Sequence, residues 1–133
     1  MVILTGNTLT LEEIDRIINR DEKVQAAPES MEKAAASRRA VERVVSENRT
    51  VYGITTGFGK FSSVRIDPED SDELQLNLIY SHACGVGEPF SPQVAKTMLL
   101  LRVNTLLKGY SGVSLPVIDL MIELVNRNIT PVV

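Results

Sequence analysis

Helix-start signals recur along this chain, and they constrain its fold more than any other feature. Thr10 and Glu13 have the spacing of a capping box, in which two side chains satisfy free backbone N–H groups at a helix start. Asp67-Pro68 and Ser91-Pro92 each place a capping side chain before a proline at the first helical position. Ser114 precedes one more apolar segment. This pattern predicts a mainly α chain.

Apolar spacing predicts where the elements lie. Short strands are expected near the N-terminus, at residues 2–4 and 23–27. Helices are expected at about residues 11–20, 28–48, 67–83, 94–107 and 117–126. The fourth is apolar on most faces, so we expect it to be buried against several neighbours. On the second, the residues expected to face inward are Met31, Ala34, Ala35, Val41, Val44 and Val45.

Composition narrows the class of protein. With 133 residues, 44% hydrophobic and 23% charged, the chain suits a globular domain. A net charge of -3 offers no basic field for nucleic acid. A single Cys and a single His form neither an internal disulfide nor a dedicated zinc site. No signal peptide or membrane span is evident, so we expect a cytoplasmic chain without a metal, nucleic-acid or membrane partner.

The glycine-rich segment VYGITTGFGKFSS, residues 51–63, breaks the helical periodicity. It fails the phosphate-loop pattern, because Phe61 stands where a Ser or Thr should follow Gly59-Lys60. It fails the dinucleotide pattern as well, because Ser62 replaces the third glycine. Two interpretations stay open: a structural surface loop, or a functional loop around Tyr52. A tyrosine, whose ordinary pKa is about 10, becomes a useful base only where positive potential or hydrogen-bond donors stabilise the phenolate.

His82, the only histidine, lies at the predicted end of a helix that Gly85 and Gly87 terminate. One interpretation is a capping residue, because a helix C-terminus favours a cation. The other is a group that hydrogen-bonds a polar ring or moves a proton near neutral pH. Cys84 is expected to be a small buried residue and not a nucleophile.

Three motifs together carry a resemblance to a known family. YGITTGFGKF at residues 52–61, LQLNLI at 74–79 and SHACGVG at 81–87 closely resemble the N-terminal part of histidine ammonia-lyases, a branch of the aromatic amino acid ammonia-lyase family. The similarity extends through LLLRVN at 99–104 and KGYSGV at 108–113. The resemblance implies a mainly α fold with a few short β-strands at the N-terminus, similar to the N-terminal part of the fumarase/aspartase-like ammonia-lyase fold.

The family resemblance also implies an activity. Histidine ammonia-lyases eliminate ammonia from L-histidine to give trans-urocanate, the first step of histidine degradation, and they do so as homotetramers. They need no external cofactor, because an internal Ala-Ser-Gly tripeptide cyclises to a methylidene-imidazolone electrophile. Tyr52 then resembles the base that takes the β-proton, and Ser81 with His82 resembles the pair that binds the substrate ring. The residues that resemble the lid loop are Gly53, Thr56, Gly57, Phe58 and Gly59.

The chain departs from the family pattern in one respect. No Ala-Ser-Gly occurs among its 133 residues, and it ends on the apolar run Ile129 to Val133. We therefore expect an N-terminal portion of a longer enzyme, with an α-rich domain at residues 1–109 and the first helix of a central bundle at 110–133. The alternatives are a phenylalanine or tyrosine ammonia-lyase or aminomutase of the same family, a non-catalytic helical scaffold, or a chain that self-associates through apolar helices.

The missing tripeptide generates a first prediction. The purified 133-residue chain should release no ammonia from L-histidine, because it lacks the precursor of the electrophile. Urocanate absorbance measures this directly, with the full-length protein as the positive control. Urocanate formed by the purified chain alone would contradict the prediction.

Overall fold

The computed structural model describes residues 1–57, 59, 66 and 68–133, and within them the chain is mainly helical with two short strands. The predicted fold class is therefore confirmed. The elements, in chain order, are β1 (Val2–Leu4), α1 (Leu11–Asn19), β2 (Val24–Ala26), α2 (Pro28–Ser46), α3 (Pro68–His82), α4 (Pro92–Leu106) and α5 (Leu115–Asn126).

The chain divides into two compact units. The larger unit comprises residues 1–39 and 89–133, and the smaller one comprises residues 40–88. The larger unit therefore holds both strands together with α1, α4 and α5, whereas α3 belongs to the smaller one. The domain boundary expected at residue 109 concerns a longer protein and stays a prediction.

The two strands of the larger unit pair in parallel, with Val2 opposite Val24. A two-stranded sheet is marginal without further support. Asn126, at the end of α5, supplies some of it: its Oδ1 accepts from the N–H of Val24 at 2.8 Å, and its Nδ2 donates to the C=O of Val24 at 2.9 Å. One side chain thereby satisfies both backbone groups of a strand residue and fixes α5 against β2.

Apolar side chains from the strands and from α1, α4 and α5 form the core of the larger unit. The largest fully buried ones are Leu4, Ile17, Leu100, Val103, Leu107, Ile118 and Val125. Helix α4 contributes only one side to this core, because Val94, Met98 and Leu101 are each more than 40% exposed. Helix α4, expected to be buried against several neighbours, packs against α1 and α5 and is exposed on its other side.

A buried lysine connects α4 to the end of α1. Lys96 Nζ donates to the C=O of Ile17 at 2.8 Å and lies 3.4 Å from Asp21 Oδ1. The same carboxylate oxygen accepts from Asn128 Nδ2 at 2.9 Å. These two donors, Asn128 first and Lys96 second, hold the pKa of Asp21 below its ordinary value. The charge of a buried lysine is thus balanced at the surface, as burial of a cation requires.

The predicted helix starts at Thr10 and Ser91 agree with the structure, Ser114 is the N-cap of α5 but makes no side-chain capping bond, and Asp67 lies outside the described residues. Thr10 Oγ1 accepts from the N–H of Glu13 at 3.2 Å, while Glu13 Oε2 accepts from the N–H of Thr10 at 2.9 Å. This is the capping box, and Ser91 likewise accepts from Val94 at the start of α4. The inward face expected for α2 is only partly correct, since Ala34 is buried but Val45 is 48% exposed. Val45 lies at the end of α2 in the smaller unit, where few described side chains cover the helix.

Gly109 generates a prediction about stability. Its φ is +80°, and a Cβ added there would lie 2.7 Å from Lys33 Cβ and 2.9 Å from the C=O of Lys33. Gly109→Ala should therefore cost about 1–2 kcal/mol for the left-handed backbone and about 1–3 kcal/mol more for the overlap. Gly87→Ala is the matched control, because its φ is +100° but a Cβ there meets nothing within 4 Å. Urea unfolding of both variants compares the two losses, and equal losses would show that Lys33 yields to the added methyl group.

Candidate active site

Tyr52 lies in a tight turn of the smaller unit. The C=O of Val51 accepts from the N–H groups of Ile54 at 3.1 Å and Thr55 at 3.0 Å, so the chain reverses around Tyr52. Gly53 takes a φ of +73°, a conformation that glycine adopts without a steric penalty. The Tyr52 side chain is 63% exposed. The turn therefore presents the ring of Tyr52 outward on a hydrogen-bonded backbone.

Two threonine hydroxyls bond to the backbone on either side of Tyr52. Thr55 Oγ1 accepts from the N–H of Val51 at 2.9 Å and donates to the C=O of Arg49 at 2.6 Å. Thr56 Oγ1 accepts from the N–H of Gly53 at 3.3 Å and donates to the C=O of Gly57 at 3.0 Å. The N–H groups of Val51 and Gly53, the residues before and after Tyr52, thus both donate to threonine hydroxyls.

The remaining lid residues continue from this turn. Thr56 and Gly57 are buried, whereas Gly59 has a φ of +56° and open space where a side chain would be. The C=O of Thr55 accepts from the N–H of Ile66 at 3.1 Å. Phe58 lies outside the described residues. The lid role of Gly53, Thr56, Gly57, Phe58 and Gly59 stays a prediction.

Ser81 and His82 form the end of α3 and contact each other. Ser81 Oγ donates to the C=O of Leu78 at 3.1 Å and lies 2.9 Å from His82 Nδ1. His82 Nδ1 also lies 2.9 Å from the C=O of Leu78. Both side chains therefore converge on the carbonyl of one residue, four residues before the end of α3.

The roles of the two ring nitrogens of His82 depend on the tautomer. A backbone carbonyl only accepts, so Nδ1 accepts from Ser81 Oγ when the hydrogen is on Nε2, and it donates to Leu78 when the hydrogen is on Nδ1. In the neutral ring, Nε2 then carries a lone pair and acts as a hydrogen-bond acceptor. Among the described residues, no hydrogen bond involves Nε2. The ring thus uses one nitrogen for the helix end and keeps the other for a partner.

The contact of Nδ1 with the C=O of Leu78 anchors His82 near the end of α3, and its role in binding a ring stays a prediction. The expectation that Cys84 is buried is wrong, because its side chain is exposed. Cys84 follows the end of α3, in a segment of coil that runs to residue 90 and is exposed throughout.

The structure places the candidate residues on two elements of the same compact unit. Ser81 and His82 are in direct contact at the end of α3, and Tyr52 lies in the turn that precedes that helix. An open groove of about 280 Å³ is lined by Ile66, Glu73, Leu74 and Asn77. Its lining includes neither Tyr52 nor His82. This groove is therefore not formed by the candidate residues.

Two further findings concern partners. Within residues 1–57, 59, 66 and 68–133, no group of three or more His, Cys, Asp and Glu side chains is arranged to hold a metal ion. Across the same residues, no helix has the length and apolar character that crossing a membrane requires.

Thr55 is the residue that the sequence-based prediction of the site omitted. It lies in the glycine-rich segment, but nothing in the family motif distinguishes it from its neighbours. The available signal was the spacing of Thr55 four residues after Val51, since threonine hydroxyls often bond to backbone groups of a nearby turn.

Comparison with known proteins places this geometry in context. The family model for aromatic amino acid lyase matches residues 9–133. Histidine ammonia-lyase from Geobacillus sp. (strain WCH70) is 59% identical over the whole chain, and histidine ammonia-lyase from Bacillus cytotoxicus is 58% identical. In both cases the chain covers 26% of the relative, so it spans about a quarter of their length.

Solved structures show the same fold. Tyrosine aminomutase from Streptomyces globisporus superposes with a TM-score of 0.91 at 36% identity, covering 99% of this chain and 25% of that one. Histidine ammonia-lyase from Trypanosoma cruzi superposes with a TM-score of 0.84 at 38% identity, covering 93% of this chain and 24% of that one. The backbone is therefore common to proteins that act on different amino acids, and substrate choice must be argued from side chains.

Proposed function

Because the chain belongs to the aromatic amino acid lyase family, we propose that it is the N-terminal portion of a histidine ammonia-lyase. The complete enzyme would eliminate ammonia from L-histidine and release trans-urocanate, the first step of histidine degradation. The observation that carries this choice of substrate is the contact between His82 Nδ1 and the C=O of Leu78, in which we assign the hydrogen to Nδ1 so that Nε2 is an acceptor. Identity of 54–59% to curated histidine ammonia-lyases supports it.

The substrate ring is matched by its hydrogen bonding. A neutral imidazole carries one N–H donor, and His82 Nε2 can accept from it. Ser81 Oγ supports this arrangement, because its contact with Nδ1 helps to hold the plane of the His82 ring. A phenyl ring has no donor and would leave Nε2 unpaired in a closed pocket, which costs affinity. His82 with Ser81 therefore favours histidine over phenylalanine.

Tyr52 supplies the proton acceptor in this proposal. Its phenolate oxygen takes the proton from Cβ of the substrate, the C–H electron pair becomes the new Cα=Cβ bond, and the Cα–N bond breaks with its pair leaving on nitrogen. The exposed position of Tyr52 lets its oxygen reach a substrate that binds over the turn. The glycines at 53, 57 and 59 would let the loop close over the ligand.

Activation of the amino group belongs to residues outside this chain. In the family, a methylidene-imidazolone formed from Ala-Ser-Gly makes the amino nitrogen a better leaving group, and no external cofactor is needed. The phenol and imidazole of this chain fit the complementary tasks of proton removal and ring recognition. We also propose the homotetramer and the cytoplasmic location that the resemblance implies.

The second candidate is a phenylalanine or tyrosine ammonia-lyase or aminomutase of the same family. Superposition with tyrosine aminomutase supports this candidate at the level of the backbone. His82 argues against phenylalanine, as described above. A non-catalytic scaffold would keep the fold without needing an acceptor nitrogen at the end of α3.

The role of Tyr52 gives a prediction for the full-length protein. Tyr52→Phe should lower kcat for L-histidine about 100- to 10,000-fold, because the variant keeps the ring but loses the proton acceptor. Tyr80→Phe is the matched control, since Tyr80 is also an exposed tyrosine of the smaller unit. Urocanate formation measures both variants, and thermal unfolding checks that they stay folded. Near-normal turnover of Tyr52→Phe would assign Tyr52 a structural role.

The role of His82 gives a prediction about selectivity. His82→Leu should reduce kcat/KM for L-histidine about 10- to 100-fold, because loss of one hydrogen bond in a closed site costs about 1–3 kcal/mol. The preference should shift towards L-phenylalanine, whose ring carries no donor for an acceptor to bind. His82→Gln, which keeps an acceptor, should retain more of the histidine activity. Assays with L-histidine, L-tyrosine and L-phenylalanine measure the ratios, and unchanged selectivity in His82→Leu would leave the substrate undecided within the family.

A further inference from the structure

We propose that Thr55 and Thr56, together called the threonine clamp, are positioning residues that orient Tyr52 for proton removal. The inference rests on the proposed function, in which Tyr52 is the base. It assigns to the two hydroxyls a task that neither the motif nor the fold implies. Neither hydroxyl touches the substrate in this account, because each acts through the backbone that carries Tyr52.

The clamp holds the N–H groups of the two residues that flank Tyr52. On the N-terminal side, Thr55 Oγ1 takes the N–H of Val51 at 2.9 Å and gives its own hydrogen to Arg49 at 2.6 Å. On the C-terminal side, Thr56 Oγ1 takes the N–H of Gly53 at 3.3 Å and gives its hydrogen to Gly57 at 3.0 Å. Each hydroxyl donates once and accepts once, so each fixes two backbone groups at a time.

The clamp adds to the backbone hydrogen bonds that the C=O of Val51 accepts in this turn. Gly53, directly after Tyr52, permits many backbone conformations and would let the ring change direction. The Tyr52 side chain is 63% exposed, so packing does not fix it fully. Thr56 is only 3% exposed, so its hydroxyl bonds are shielded from competing water. The hydrogen bonds of buried Thr56 thus support the exposed Tyr52, which packs little against its neighbours.

A catalytic base must be held in place for its pKa and reach to be useful. Displacement of a reacting group by about 1 Å can cost about 100-fold in rate. Loss of one clamp hydroxyl should therefore lower kcat by about 10- to 100-fold while KM changes by less than about threefold, because ring recognition lies on α3. Loss of Tyr52 itself should remove the effect of the clamp, because no base is left to orient.

The experiment is a double-mutant cycle in the full-length protein. Thr55→Val and Thr56→Val remove the hydroxyls but keep the β-branched shape, and Thr55→Ser and Thr56→Ser restore them. Each Val variant is made in the normal protein and in the Tyr52→Phe background. Thr97→Val is the control for loss of a threonine hydroxyl elsewhere, since Thr97 bonds only to the preceding turn of α4. Turnover of L-histidine and thermal unfolding are measured for every variant.

The expected result is non-additive. Each Val variant should lower kcat about 10- to 100-fold in the normal protein and less than about twofold in the Tyr52→Phe background, with Ser variants close to normal. The same fold-loss in both backgrounds would overturn the clamp and leave Tyr52 as the base. Normal kcat in both Val variants would also overturn it. A normal kcat in the single variant Tyr52→Phe would show that Tyr52 is not the base. The proposed role of the clamp would then be wrong as well.

Discussion

Backbone polar groups that leave a helix or a sheet need new hydrogen-bond partners, and the arrangement of this chain depends on how side chains meet that need. At β2, the amide of Asn126 takes both the N–H and the C=O of Val24. At the end of α3, Ser81 and His82 bond to the C=O of Leu78. In the turn around Tyr52, two threonine hydroxyls accept from the N–H groups of Val51 and Gly53. The same physical device thus fixes the scaffold and shapes the candidate site.

These hydrogen bonds from side chains to the backbone also determine what the site residues can do. In the tautomer that places the hydrogen on Nδ1, the contact with Leu78 holds the ring of His82, and Nε2 is an acceptor. Once the N–H groups beside Tyr52 are taken by Thr55 and Thr56, the ring can be exposed without its backbone being loose. Structural capping and a functional role are therefore compatible for His82, although the sequence presents them as alternatives.

The sequence predicts local hydrogen-bonded features well and packing poorly. Thr10 and Ser91 begin their helices as expected, because a cap depends on residues within one turn. Val45 and Cys84 were expected to face inward and are exposed, because burial depends on which distant elements cover them. For the site, motif resemblance identifies the candidate residues but not the bonds of Thr55, since a hydroxyl's partners depend on the turn conformation.

In the proposed enzyme, substrate choice depends on the separation between Tyr52 and His82. With Nε2 as an acceptor, His82 can bind the N–H of an imidazole or the hydroxyl of a phenol, so hydrogen bonding alone excludes phenylalanine but not tyrosine. The phenol hydroxyl lies further from Cβ than an imidazole nitrogen does. Tyr52 must reach that same Cβ, so the separation between Tyr52 and His82 favours one ring length. In this proposal both ends of that separation depend on side-chain bonds to the backbone, those of Thr55 and Thr56 in the turn and that of His82 on α3.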